Sequence, residues 1–495
     1  MLFDELKVLT QFVKEKCQST LPFVSLYEER NLEDTLFQVM DNFDTEKEAA
    51  VFFYDSTSAR SLHALKSTES RLKEKLSNYL LHLKADELDD ALSVGELEAW
   101  KSYQKGKILH TVVHSYKEAK RHLINALQLA EEYEVTHLAI ETLKLLLRIN
   151  FEAVIKRKER LYYEELLQAY FHKYQCEFEA QTIDRKARML IRKKSISAKE
   201  YHDTIKTSIV RLHALWETSQ MTKIYYIYHS LQTIYYQNQG QWQKLYDSIV
   251  SAEQMLAKGT LNSHIFEVSY NMYMKTFALW GLGRYEEGLT YMATALPHFK
   301  EGEHNYFSMQ MHHVLLAIYA TQYTRALGVI THVKSLENFK VIPKSLQEQF
   351  IISEAFIKLI GQKKKVSFHQ VYDQLKTLRT HKEGMNINLL ILELLLTLTA
   401  YDYMAFEQKL TNSFRSLSGH FKKQSNSRTR KFFQLLRHLV RKDFNATDAK
   451  EAGRYLAKTL EGNLEGVVLS NYEVVPYPTL WQYCLDIVKK TPYAV

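Results

Sequence analysis

The sequence predicts an all-α protein made of antiparallel helix hairpins behind a helical N-terminal region that does not repeat. Three observations lead there. Glycine (15) and proline (6) are scarce in 495 residues, against roughly 7% and 5% in average sequences, and β-hairpin turns consume these residues. No proline stands between Pro22 and Pro297, so nothing in that stretch obliges a helix to break. Finally, an aromatic, a small residue, a large apolar residue and a second small residue recur along the chain at one helical spacing.

Composition bounds the rest. A hydrophobic fraction of 46% with 25% charged residues is globular, and a mean hydropathy of −0.32 excludes a chain dominated by disordered or membrane segments. At 495 residues the chain exceeds the ~100–150 of one compact core, so the core is split into domains or spread along repeats. Cys17, Cys176 and Cys484 are too far apart for a CxxC pair and too few for a disulfide framework, which fits a reducing compartment. The first residues mix acids and bases and lack the apolar run of a secretory signal. The richest apolar run, 387–400, carries Glu393 and is shorter than the ~20 residues of a membrane span. A cytoplasmic protein with no membrane partner is expected.

Taken in order, residues 1–99 read as an acidic helical N-terminal region. Leu62, Leu65, Leu72, Leu76, Leu80 and Leu81 line one amphipathic element, and residues 28–98 hold 17 Asp/Glu against 8 Lys/Arg, including Asp86, Glu87, Asp89 and Asp90. Residues 100–200 hold a first hairpin, with Tyr116, Ala119, Leu123 and Ala126, then long charged linking helices over 152–194. Residues 201–460 form the main hairpin array. Its anchors are Trp242, Leu245, Ile249 and Ala252, then Tyr285, Gly288, Met292 and Ala295, then Tyr323, Ala326, Ile330 and Val333. Further pairs are expected over 344–380, 386–417 and 428–460. Residues 461–495 read as an extended tail, with Val467, Val468, Val474, Val475, Pro476 and Pro478, closed by a capping helix over 480–490.

Two anchors carry a glycine two residues ahead, Gly240-Gln-Trp242 and Gly283-Arg-Tyr285, where a left-handed residue can end one helix and let the next start antiparallel. This resembles the second half of the tetratricopeptide repeat. The likeness is partial. Anchor spacings are 43 and 38 residues rather than roughly 34, and of His229, Gln232, Thr233 and Tyr236 at the family's first-helix positions only the tyrosine fits. The layout is also loosely similar to helical-repeat proteins of Bacteroidetes, which implies no function. The tetratricopeptide resemblance implies an α-solenoid whose first helices line a concave groove for a peptide or partner helix.

Phosphate loops, Gly-x-Gly-x-x-Gly turns, His-Glu-x-x-His pairs and Gly-x-Ser-x-Gly elbows are all absent. The expectation is therefore a protein that is not an enzyme, without cofactor or metal. His298, His304, His312 and His313 gather around one loop, but adjacent His312 and His313 diverge by about 100° on a helix, which favours core or solvated histidines over ligands. Tyr225, Tyr226, Tyr228, Tyr235, Tyr236, Tyr270 and Tyr273 crowd two first helices. Each suits core packing as well as recognition, and the groove candidates are Ser230, Gln237, Tyr270, Tyr273 and Phe277. The sharpest charge signal is 411–442, with nine Lys/Arg and no acid against a net charge of +8 for the whole chain. Arg428, Arg430, Lys431, Arg437, Arg441 and Lys442 are candidates for an acidic partner or for phosphate, making nucleic acid the alternative partner. The bland reading is a solvated face, or one neutralised by the acidic N-terminal region.

Overall fold

The computed structural model describes residues 3–4, 6–7, 10–11, 14, 31–80, 91–149, 156–192, 198–362, 366–378, 387–417, 427–462, 464 and 473–490. Among them all regular structure is helical. The chain divides into two compact units, one of Met1–Gln181 with Leu215–Ile224, the other of Thr182–Ala214 with Tyr225–Val495.

In the first unit, after helical residues described between 3 and 14, come α1 (Leu32–Val39), α2 (Glu46–Tyr54) and α3 (Ala59–Leu80). Side-chain oxygens start the first two: Asn31 accepts from the Asp34 amide, and Thr45 forms a reciprocal capping box with Glu48. Leu36, Phe37, Met40, Leu65, Leu72 and Leu76 bury together between them. A second core joins α4 (Ala91–Thr111), α5 (Tyr116–Glu132), α6 (Thr136–Ile149) and the start of α7 (Arg157–Arg192) through Ala119, Leu123, Ala126, Leu138, Leu143 and Leu146. The expected boundary at 99/100 falls inside α4. The charged stretch over 152–194 is, from Arg157 onward, one helix of 36 residues.

The second unit takes up the end of α7 and most of α8 (Ala198–Ser219) and α9 (Thr222–Gln239), so the expected boundary at 200/201 falls inside α8. Helix pairs follow: α10 (Trp242–Ala257) after α9, then α11 (Val268–Gly281) with α12 (Tyr285–Ala295), and α13 (His304–Tyr319) with α14 (Tyr323–Ser335). Next come α15 (Lys344–Phe356) with α16 (Phe368–Leu378), α17 (Ile387–Thr399) with α18 (Tyr403–Ser416), α19 (Ser427–Arg441) with α20 (Ala446–Leu460), and finally α21 (Tyr477–Lys489). First helices also pack on one another across pairs, α11 on α13, α13 on α15 and α15 on α17.

The recurring signature has a structural meaning. Tyr116, Trp242, Tyr285 and Tyr323 are each the first residue of a helix. The spaced residues behind them, from Ala119 to Val333, are buried. Two residues before each anchor the backbone is left-handed. Glycine fills that place at Gly240 (φ 66) and Gly283 (φ 75), but His114 (φ 59), Thr321 (φ 58), Tyr401 (φ 57) and Phe444 (φ 59) do so elsewhere without glycine. The amide after it reaches five residues back, Gln241 to Tyr236 at 2.9 Å, Arg284 to Leu279 at 2.9 Å and Gln322 to Ala317 at 2.8 Å. Carbonyls orphaned at the helix end are thereby satisfied. Hairpins approach closely at Gly281 on α11, where a Cβ would lie 2.2 Å from Cδ2 of Trp242.

Beyond α20 the chain comes back onto earlier helices. The Trp242 indole donates to the Leu464 carbonyl at 2.8 Å, and the Tyr319 hydroxyl donates to the Glu473 carbonyl at 2.9 Å. Val474 and Val475 are buried, whereas Val467 and Val468 lie outside the described residues. The last helix begins at Tyr477, three residues before the expected start, because Pro478 suits a first turn whose amides have no partner in the helix. It packs against α17, α19 and α20.

Candidate functional site: a cleft along the first helices

One cleft of about 570 Å³ runs along four successive first helices. Gln237 and Asn238 come from α9, Tyr273, Phe277 and Trp280 from α11, His304, Ser308, His312 and Leu315 from α13, and Ser345, Leu346 and Gln349 from α15. On α11 and α13 these positions repeat every three or four residues, as one helix face requires. Glu473 and Val474 of the returning segment border the same cleft. Its volume falls within the range of ligand sites, and aromatic walls with a few polar groups suit recognition of side chains.

Several buried polar groups on the same helices are paired, His312 of the cleft wall among them. His312 stacks on Tyr273 with ring centroids 4.3 Å apart, and its Nδ1 lies 3.0 Å from the Thr276 hydroxyl. That hydroxyl gives its proton to the Tyr273 carbonyl at 2.7 Å, so the imidazole is the donor. Next to it, His313 donates from Nδ1 to Gln310 Oε1 and accepts from Arg325 Nε at 3.0 Å. Between α9 and α11, His229 donates to Asn271 Oδ1 at 2.9 Å. Burial pushes His312 down to about 3 and His229 to about 4. His313 falls to about 4 through burial, with the Arg325 charge adding to it. All three imidazoles are neutral at pH 7. The one carboxylate among the described residues bordering the cleft, Glu473, is neutralised by a two-pronged pair with Arg428, both bonds at 2.7 Å. Among the described residues no Lys or Arg lines the cleft, and its described walls are aromatic and neutral-polar.

Of the residues expected in the groove, Gln237, Tyr273 and Phe277 line it. Ser230 and Tyr270 do not. Ser230 is buried, accepts from Arg188 and donates to the Ile227 carbonyl, while the Tyr270 hydroxyl pairs with Thr233 at 2.9 Å. Both sit where α9 and α11 touch and satisfy polar groups there. Trp280, Leu315, Leu346 and Gln349 were not singled out by sequence reasoning. Trp280 stands seven residues after Tyr273, a spacing that places both on one helix face.

The basic stripe on α19 also needs correction. Arg428 is no surface cation: it is mostly covered, and besides Glu473 it donates to the Leu460 carbonyl at 3.1 Å. Its acid lies outside 411–442, which is why the local charge pattern did not show the pair. Arg430, Arg437, Arg441 and Lys442 are exposed and Lys431 half-buried, opposite the fully buried Phe432, Phe433, Leu435, Leu436 and Leu439. Arg437 rests over the Phe414 ring, 4.8 Å from its centroid.

Among the described residues no helix is long and apolar enough to cross a membrane, and no group of three His, Cys, Asp or Glu is gathered to hold a metal. No family model, no curated protein and no solved structure matches this chain.

Proposed function

We propose that the chain is a non-catalytic interaction scaffold, a tetratricopeptide-like α-solenoid that holds an extended peptide or a partner helix in the groove along its first helices. The observation that carries this reading is the cleft itself, one continuous hollow to which α9, α11, α13 and α15 each contribute side chains. An array that stacks its hairpins presents such a surface as a direct result of stacking. The chain's own returning segment lends support, since Glu473 and Val474 already border this cleft. The ligand is an uncharged segment that seats an apolar or aromatic side chain between Phe277, Trp280 and Leu315 and leaves its backbone to Gln237, Ser308 and Gln349. Selection from a displayed peptide library tests it. A consensus peptide that binds the parent and is lost by the cleft-filling pair Ser308→Trp and Leu315→Arg is expected. A library without enrichment, or binding unchanged in that variant, overturns the reading.

A second reading rests on the exposed arginine face of α19, with Arg430, Arg437 and Arg441 pointing away from a buried apolar face. Such a stripe can meet nucleic-acid phosphates, whose binding weakens steeply with salt. Reversal of all three to Glu should abolish binding to generic RNA and DNA and leave folding intact, because exposed charges add little stability. Salt-independent binding, or none by the parent, removes this reading.

A further inference from the structure

A second cleft, of about 520 Å³, opens in the same unit between α8, α9 and the first turn of α10. One face of α8 supplies His202, Lys206 and His213, and α10 supplies Lys244. The α9 wall supplies the rings of Tyr228, Tyr235 and Tyr236. None of the described lining residues is Asp or Glu. Among the described residues neither Lys206 nor Lys244 is in an ion pair, and both are exposed. The tyrosines are fixed in place. The Tyr235 hydroxyl lies 2.8 Å from His202 Nδ1, and the Tyr228 hydroxyl accepts from Gln232 at 2.7 Å. His213 meets the Tyr228 ring edge-on with centroids 5.1 Å apart.

Two ammonium groups from different helices, with no carboxylate among the described residues of the wall, leave a positive field that an anion would neutralise. Both lysines are compact point charges of the kind that bind phosphate oxygens. The remaining surface is aromatic ring and amide, which suits a planar group. A hollow of this size lies within the range of small-molecule sites. We propose that this cleft binds a phosphate monoester carried on a planar ring system, of mononucleotide size. The phosphate lies between Lys206 and Lys244, and the ring lies against Tyr235 and Tyr236. The site is independent of the peptide groove and shares no lining residue with it.

Calorimetric titration of the full chain with adenosine 5′-monophosphate at low salt tests the proposal, with adenosine and inorganic phosphate as separate arms. The nucleotide should bind at least tenfold more tightly than either part. The pair Lys206→Glu and Lys244→Glu should weaken it at least tenfold, and Val210→Trp, on the exposed rim, should block it sterically. Unaltered melting temperatures will show that these surface variants fold. The groove variant Ser308→Trp with Leu315→Arg should bind the nucleotide as the parent does, so failure of one site is distinguishable from failure of the other. Absence of binding by the parent, phosphate alone binding as tightly as the nucleotide, or binding unchanged in the charge-reversed pair would each overturn the assignment.

Discussion

At the residue scale, the left-handed turn position shows what a single backbone angle demands. Four hairpins place a residue with a Cβ where glycine would be unstrained, and Thr321, at φ 58, is β-branched and exposed. Replacing it with glycine relieves strain of the order of 1–2 kcal/mol but loosens the unfolded chain. Thr321→Gly is expected to raise stability by up to about 1 kcal/mol in chemical denaturation, whereas Gly283→Val should lower it by more than about 1 kcal/mol. Opposite signs are the diagnostic result, and equal melting of both variants would refute the turn's role. A different residue-scale effect comes from Glu69 on α3, whose carboxyl is buried without a hydrogen-bond partner among the described residues. Burial, with the nearby Glu46 adding to it, pushes its pKa up to about 7. A raised folded value means that the protonated form is favoured in the fold. Stability is therefore lost as pH rises from the ordinary carboxyl range through 7. Glu69→Gln should match the parent at pH 4.5 and exceed it at pH 8, as thermal melts at the two pH values would show.

At the scale of the element, close approach between helices explains why the small residues recur. Ala119, Ala295 and Ala326 are fully buried, and each lies three or ten residues behind an aromatic anchor. Ala→Leu at any of them overpacks a hairpin and should cost about 1–3 kcal/mol. Measured ΔΔG below half a unit at two of the three would mean that the contacts relax freely. This register was legible in the sequence because aromatic and small residues at fixed spacing are forced by geometry within one hairpin. Gly281 was not legible in the same way: its need for glycine arises from Trp242, 39 positions earlier, and no local pattern encodes a neighbour on another helix. The same reason hid Glu473 as the partner of Arg428, and Ser230 and Tyr270 as contacts between α9 and α11. Composition and period reveal which face of a helix is apolar. They do not reveal which polar residue on the border of that face meets another helix and which meets solvent.

At the scale of the whole molecule, the second unit is fastened by contacts between parts far apart in sequence. Arg428 and Glu473 are both nearly inaccessible, so removing one partner leaves an uncompensated buried charge. Glu473→Ala also strips an acceptor from the Tyr477 amide at the start of α21. It should cost about 3–5 kcal/mol, with faster proteolysis beyond Leu460 as its visible sign. A loss below 1 kcal/mol would show the pair to be replaceable by water. The unit should also respond to acid through His229, His312 and His313. Their folded values lie below the ordinary 6.5, so the stability they permit is complete above pH 6.5 and is lost as pH falls toward 4. Melting temperatures at pH 7.5, 5.5 and 4.5 should fall in that order, and His312→Gln should flatten the decline. An all-helical fold with a Gly-x-aromatic turn was legible from sequence. The cleft was legible only in outline, since its walls come from four helices spread over more than a hundred residues.

The hydrogen bond from the Trp242 indole to the Leu464 carbonyl spans 222 residues, and this separation becomes a delay during synthesis on the ribosome. At ~5–20 residues per second, the acceptor is made on the order of ten to forty seconds after its donor. Hairpins can form as soon as they emerge, because their own contacts are local and quick. Through that interval the indole has only water, or a chaperone, as its hydrogen-bond acceptor. The nascent chain thus carries most of its hairpins before this fastening between distant parts of the sequence can close.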